Sequence, residues 1–103
     1  MPGNTVNAGE DATRLLGAWR YLKTVDNGKT RDRGADPSGI IYYGPHGEMC
    51  VHIAPDRPRP RAGAVATPAE CQHAIEGYVG YFGTYSVDEH TGIVTHHRKV
   101  SIQ

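Results

Sequence analysis

Hydrophobic and polar positions alternate along most of this chain, and three stretches do so at strand spacing. In "AWRYLKTV" (Ala18–Val25), Trp19, Tyr21 and Lys23 fall on one face, with Arg20, Leu22 and Thr24 on the other. "MCVHI" (Met49–Ile53) sets Met49, Val51 and Ile53 against Cys50 and His52, and the apolar set is the one expected to face the interior. In "YFGTYSVD", Tyr81, Gly83, Tyr85 and Val87 share a face. "IIYY" (Ile40–Tyr43) is β-prone but does not alternate. Turn signals separate these runs. Asn27-Gly28 predicts a tight hairpin, Gly44–Glu48 a second one, and Glu89–Gly92 a third.

Two short helices interrupt the strands. Asp11 is placed to cap one through Leu16, with Gly17 as its stop. Thr67, Pro68 and Glu70 form a capping-box signature that opens a second helix, expected to run to about Gly77. Between them, Pro55, Pro58 and Pro60 deny a central strand its donors and predict an irregular connection. Residues 1–9 are polar and read as a flexible tail, leaving 10–103 as a single domain. The expected architecture is mainly β: about six antiparallel strands in hairpin order, with a short N-terminal helix and an inserted helix near 67–77. Without a βαβ rhythm a parallel sheet is not expected, and an up-and-down meander avoids bare edges by closing into a barrel.

Composition narrows the classes. The 103 residues include 13 Gly and 7 Pro, which suits a turn-rich β protein. Eleven basic and eleven acidic side chains cancel, so no global field recruits nucleic acid or an acidic membrane. Arg57, Arg59 and Arg61 lie among prolines with no aromatic stacking platform, and so read as a solvated loop. No apolar run approaches the roughly 18 residues of a membrane span, and the N-terminus lacks the pattern of a secretory signal. The expected location is cytoplasmic. Cys50 and Cys71 are too isolated for a disulfide framework. His46, His52, His90, the His96–His97 pair and Cys50 show no metal-ligand spacing, so neither metal nor cofactor is expected.

"LLGAWRYL", "DPSGIIYYGPHGEMCVHI", "PDRPRPR" and, above all, "GYVGYFGTYSVDEHTGIVTHHRKVS" together resemble the small lipocalin-like domain family of bacterial calycin-type proteins, over residues 14–102 or so. The resemblance implies a meandering β-barrel whose cavity holds a small hydrophobic or aromatic molecule. It also implies that Trp19, following Gly17-Ala18, closes the barrel bottom. Members of the family continue past the His-His strand, and a barrel of this type needs about eight strands. A chain ending at Gln103 is then a natural truncation, a fragment, or one half of a homodimer joined through the C-terminal edge strand.

Adjacent residues of a strand point to opposite faces, so His96 and His97 cannot share one site without a bulge. His96 falls with Val94, Val100 and Ile102, an apolar set broken by Arg98, and is the cavity-facing one. His97 falls with Ile93, Thr95, Lys99 and Ser101. The hairpin brings Tyr85 near one of them, depending on register. His96 is then either a hydrogen-bonded barrel residue or an interior group that orients a ligand or moves a proton. Ligand contacts are expected from Trp19, Tyr21, Tyr42, Met49, Val51, Tyr81, Tyr85 and His96. The alternative is a small barrel enzyme (isomerase, cyclase or hydrolase) in which His96 or His97 works with Tyr85 as acid and base.

Overall fold

The computed structural model describes residues 10–59 and 61–102. The expected tail 1–9, Pro60 and Gln103 lie outside the described residues. In chain order the elements are α1 (Glu10–Leu15), β1 (Gly17–Arg20), β2 (Val25–Asp26), β3 (Lys29–Thr30), β4 (Ser38–Tyr43), β5 (Glu48–Ala54), α2 (Pro68–Ile75), β6 (Val79–Val87) and β7 (Val94–Ser101). The fold is mainly β with two short helices, as the alternation and the caps predict.

Five strands form one antiparallel sheet in the order β1-β4-β5-β6-β7, and β2 and β3 make a separate ribbon. Among the described residues the sheet is open: it does not close into a barrel. The predicted strand through Val25 is correspondingly shorter. Arg20 ends β1, and Asn27 and Gly28, with φ of 52° and 77°, turn the small ribbon. That is the left-handed pair an Asn-Gly hairpin requires. The ribbon stands apart because β1 pairs with β4 rather than with its own sequence neighbour.

One face of the sheet carries the core. Register runs Tyr43↔Met49↔Gly83↔Arg98 and Ile41↔Val51↔Tyr81↔Ser101, so these rows share the inner face. Met49, Val51, Ile53, Tyr43 and Tyr85 are buried there, and Leu15, Leu16 and Val94 pack against them. The other face holds the rows through Ile40, His52 and Gly80 and through Tyr42, Cys50, Phe82 and Val100.

A bulge sets which end of β7 faces inward. Gly83 pairs with Arg98 but Phe82 pairs with Val100, so Lys99 is an extra residue on β7. A Cβ on Gly83 would run into the His97 carbonyl, so glycine is what the close approach there demands. The bulge corrects the expected faces: Val100 lies on the outer face, and Ser101, opposite Tyr81, on the inner one. Simple alternation carried past Arg98 inverts both.

The helices flank the sheet. α1 buries Ala12, and its first-turn N–H groups on Asp11 and Ala12 donate to the Glu89 carboxylate at 3.1 and 3.2 Å. Glu89, brought from the β6–β7 turn, therefore satisfies the helix start in place of the expected Asp11 cap. At its other end, the Trp19 indole N–H donates to the Leu15 carbonyl at 2.7 Å. α2 has its capping box: Glu70 N–H donates to Thr67 Oγ1 at 3.1 Å, and Thr67 N–H to the Glu70 carboxylate at 2.8 Å. Arg57 holds its far end, donating to the carbonyls of His73 and Glu76. α2 buries none of its residues, so these caps and clasps carry it. Neither helix is long and apolar enough to cross a membrane.

Candidate functional site

On β7, His96 stands opposite Tyr85, yet its ring nitrogens meet other partners. Nε2 lies 2.6 Å from the Tyr43 hydroxyl and Nδ1 lies 2.6 Å from the Tyr81 hydroxyl. Tyr43 comes from the end of β4 and Tyr81 from β6, so one imidazole ties three strands together. Tyr43, at 7% exposure, packs edge-on against Tyr85 with ring centroids 4.8 Å apart. Tyr85 is fully buried and donates its hydroxyl to the Gly44 carbonyl at 2.8 Å. It is a wall of the site, while its polar end is spent on the β4–β5 turn.

Arg98, two residues beyond His96, lays its guanidinium over the Tyr81 ring, 4.1 Å from the centroid. Among the strand residues whose register partners lie on this face, Arg98 is the one with a formal charge. No carboxylate forms an ion pair with it among the described residues.

These surroundings set the protonation states. Burial pushes the Tyr43 pKa up to about 12, with Tyr81 and Tyr85 adding to the effect. Burial likewise pushes the Tyr85 phenol up. The His96 pKa is pushed down, first by burial and then by the charges of Arg98 and His97. At neutral pH His96 is therefore a neutral imidazole, with one N–H to give and one lone pair to receive. Flanked by two tyrosine hydroxyls, it completes a chain of groups that can both donate and accept.

The expected site residues divide. Met49 and Val51, each 2% exposed, lie beside Tyr43 and Tyr81 in the sheet and belong to the core. Trp19 stands at the β1 edge, half exposed, with its indole committed to Leu15. The Tyr21 hydroxyl is engaged by Thr24 at 2.8 Å and by the Arg33 guanidinium at 3.1 Å. Tyr42 lies on the outer face opposite Cys50, so it is not part of this cluster. His97 is also on the outer face, its Nε2 3.0 Å from the Ser86 hydroxyl. The pair is thus divided by strand geometry as expected, and the register places Tyr85 across from His96.

Tyr43 and Arg98 are members of the cluster that the sequence reading did not select. "IIYY" hides Tyr43 because both tyrosines are equally plausible on either face. The available signal was the tight turn after it: pairing Tyr43 with Met49 places it on the Met49-Val51-Ile53 side. Arg98 is in the His96 set by alternation, but reads there only as an interruption.

Among the described residues no three His, Cys, Asp or Glu side chains gather in a metal-binding group. On the outer face His52 Nδ1 lies 3.0 Å from the Tyr78 hydroxyl, and the Arg59 guanidinium stands over the Tyr78 ring, 5.7 Å from its centroid.

Neither a curated protein nor a solved structure matches the chain. A family model described as a lipocalin-like domain matches residues 16–103, a span that takes in every strand of the sheet, and the chain belongs to that family.

Proposed function

We propose that this protein binds a small, largely apolar molecule against the inner face of its sheet, with the Tyr43–His96–Tyr81 chain as the polar contact. The observation that carries the reading is His96, which has both ring nitrogens held by tyrosine hydroxyls on the face that carries Met49, Val51, Ile53 and the Tyr43 and Tyr85 rings. Binding sites combine an apolar lining with a few placed polar groups, and this face has that composition. Tyr81 and His96, which keep part of their surface exposed, are the contacts, with the buried Met49, Val51 and Tyr85 packed behind them. The family assignment supports a calycin-type binding fold.

Titration with 1-octanol, followed by NMR, tests the reading. Resonances of Val51, Tyr81 and His96 are expected to shift while those of Phe82 and Val100 stay in place. Shifts confined to Phe82 and Val100, or none at all, overturn it.

A second reading is that the same chain performs acid–base chemistry. A neutral imidazole between two tyrosine hydroxyls can take a proton at one nitrogen while releasing one from the other. Turnover of a metabolite that is lost in His96→Ala, with thermal melts showing the variant folded, supports this reading; binding without turnover in the parent counts against it.

The reading extends to a homodimer. Among the described residues β7 pairs on one side only, with β6, and an eight-residue edge offers backbone donors and acceptors to a second copy. Size-exclusion chromatography with light scattering is expected to show a dimer, and a clean monomer at micromolar concentration rejects it.

A further inference from the structure

We propose that a second site lies on the outer face of the sheet: a groove that takes a small neutral phenol of one or two fused rings, with His52 as its polar contact. The site is separate from the inner face, and neither reading depends on the other.

The outer face is apolar where a solvent-facing sheet is ordinarily polar. Phe82, Val100 and Ile102 are 51%, 56% and 49% exposed, so these side chains offer surface to a ligand. The register sets Cys50, Phe82 and Val100 in one row and His52 and Gly80 in the next. The Ile102 N–H donates to the Gly80 carbonyl at 2.9 Å, which brings Ile102 into that second row. Together these residues line a groove of about 220 Å³.

Gly80 sets the shape of the groove. A Cβ there would lie 2.6 Å from Ile102 Cδ1 and 3.3 Å from His52 Nδ1, so the two side chains close in over bare backbone from either side of β6. Glycine inside a strand marks such a close approach. Size and lining then select the ligand. A cavity of about 150 Å³ holds benzene, and the groove has room for a second fused ring. Phe82 supplies an aromatic wall for it. No Asp, Glu, Lys or Arg lines the groove, so an ionised ligand would find no counter-charge there.

His52 supplies the polar contact. Its Nδ1 lies 3.0 Å from the Tyr78 hydroxyl, the two rings meet edge-on with centroids 5.8 Å apart, and the Arg59 guanidinium stands over the Tyr78 ring. These contacts hold the imidazole in one orientation. Its Nε2 has no protein partner among the described residues. A phenol hydroxyl both donates and accepts, so it can meet Nε2 in either tautomer.

The test titrates the full chain with 2-naphthol and with naphthalene, two probes that share the rings and differ in the hydroxyl, by NMR at neutral pH. Side-chain resonances of Phe82, Val100 and Ile102 are expected to shift while those of Val51 and His96 stay in place. 2-Naphthol is expected to bind roughly three- to tenfold more tightly than naphthalene, the scale of one neutral hydrogen bond. His52→Phe keeps a ring beside Tyr78 and is expected to bring the two probes to equal affinity. Phe82→Ala is expected to weaken both by roughly threefold or more. His52 and Phe82 are exposed, and thermal melts verify that each variant is folded. Should a variant fail to fold, the two probes and the location of their shifts on the parent chain decide the matter. Shifts at Val51 and His96 instead, no binding, equal affinity of the two probes, or a preference that survives in folded His52→Phe overturns the site. Resonances of Phe82, Val100 and Ile102 that move with protein concentration alone and ignore 2-naphthol would give the face to a second copy of the chain and overturn it as well.

Discussion

His96 and His97 are neighbours in the chain and have almost nothing else in common. His96 sits on the face that holds the core, each nitrogen 2.6 Å from a tyrosine hydroxyl, and its pKa is pushed down by burial. His97 sits on the opposite face, exposed, with the Ser86 hydroxyl 3.0 Å away. The same division runs through Tyr43 and Tyr42 and through Tyr85 and Phe82. In this sheet a residue's chemistry is decided by which face it reaches, and one step along the chain reverses it.

The largest test of that division is in the aromatic rings. Tyr85→Ala, at a fully buried position, is expected to cost about 3–5 kcal/mol in chemical denaturation, as for other large aromatic truncations. Phe82→Ala, half exposed and three positions earlier on the same strand, is expected to cost less than about 1 kcal/mol. Comparable losses would break the distinction between the faces.

The histidines come next. His96→Ala strands the Tyr43 hydroxyl in the core and is expected to cost about 1–3 kcal/mol. His97→Ala is expected to stay within about 0.5 kcal/mol of the parent. Removing only the hydroxyl sharpens the same contrast. Tyr43→Phe is expected to cost about 0.5–1.5 kcal/mol, as for loss of a single hydrogen bond. Tyr42→Phe is expected to change nothing measurable, because Tyr42 stands exposed on the outer face.

The smallest effect is in pH. A His96 pKa lowered by folding means that the unfolded chain binds the proton more readily. Its contribution to stability is therefore present above the ordinary value of 6.5 and is lost as the pH falls below it. The lowered carboxylates of Glu48 and Glu70 begin from 4.5, so melting temperatures between pH 7.5 and about 5 isolate the histidine. The decline over that range is expected to shrink in His96→Gln and to persist in His97→Gln; the reverse would reassign the buried histidine.

Local chemistry made much of this fold legible. Asn27-Gly28, the Thr67–Glu70 box and the Met49-Val51-Ile53 alternation each act over a few residues, and each appears as expected. What escaped depends on distant partners. Tyr43 meets His96 across 53 positions, and nothing in "IIYY" itself says which tyrosine turns inward. The bulge at Lys99 escaped for a related reason: "HRKVSI" continues an acceptable alternation, and only the close approach of β7 to Gly83 shows that one residue is surplus. The open sheet was hidden because hairpin order is shared by closed and open meanders.

The grip of Glu89 on the first turn of α1 has a kinetic consequence. Those two hydrogen bonds span 77 and 78 positions, so they close a loop that includes nearly the whole sheet. The entropy of that closure is best met after the β4–β5 hairpin and the β5–β6 pairing have shortened the effective loop. A six-residue helix cannot persist alone in water, so α1 forms as it docks. Docking of the helix is then a late event in folding. Trp19, the chain's one tryptophan, is bonded to the last carbonyl of that helix, and its fluorescence is a built-in clock for the step.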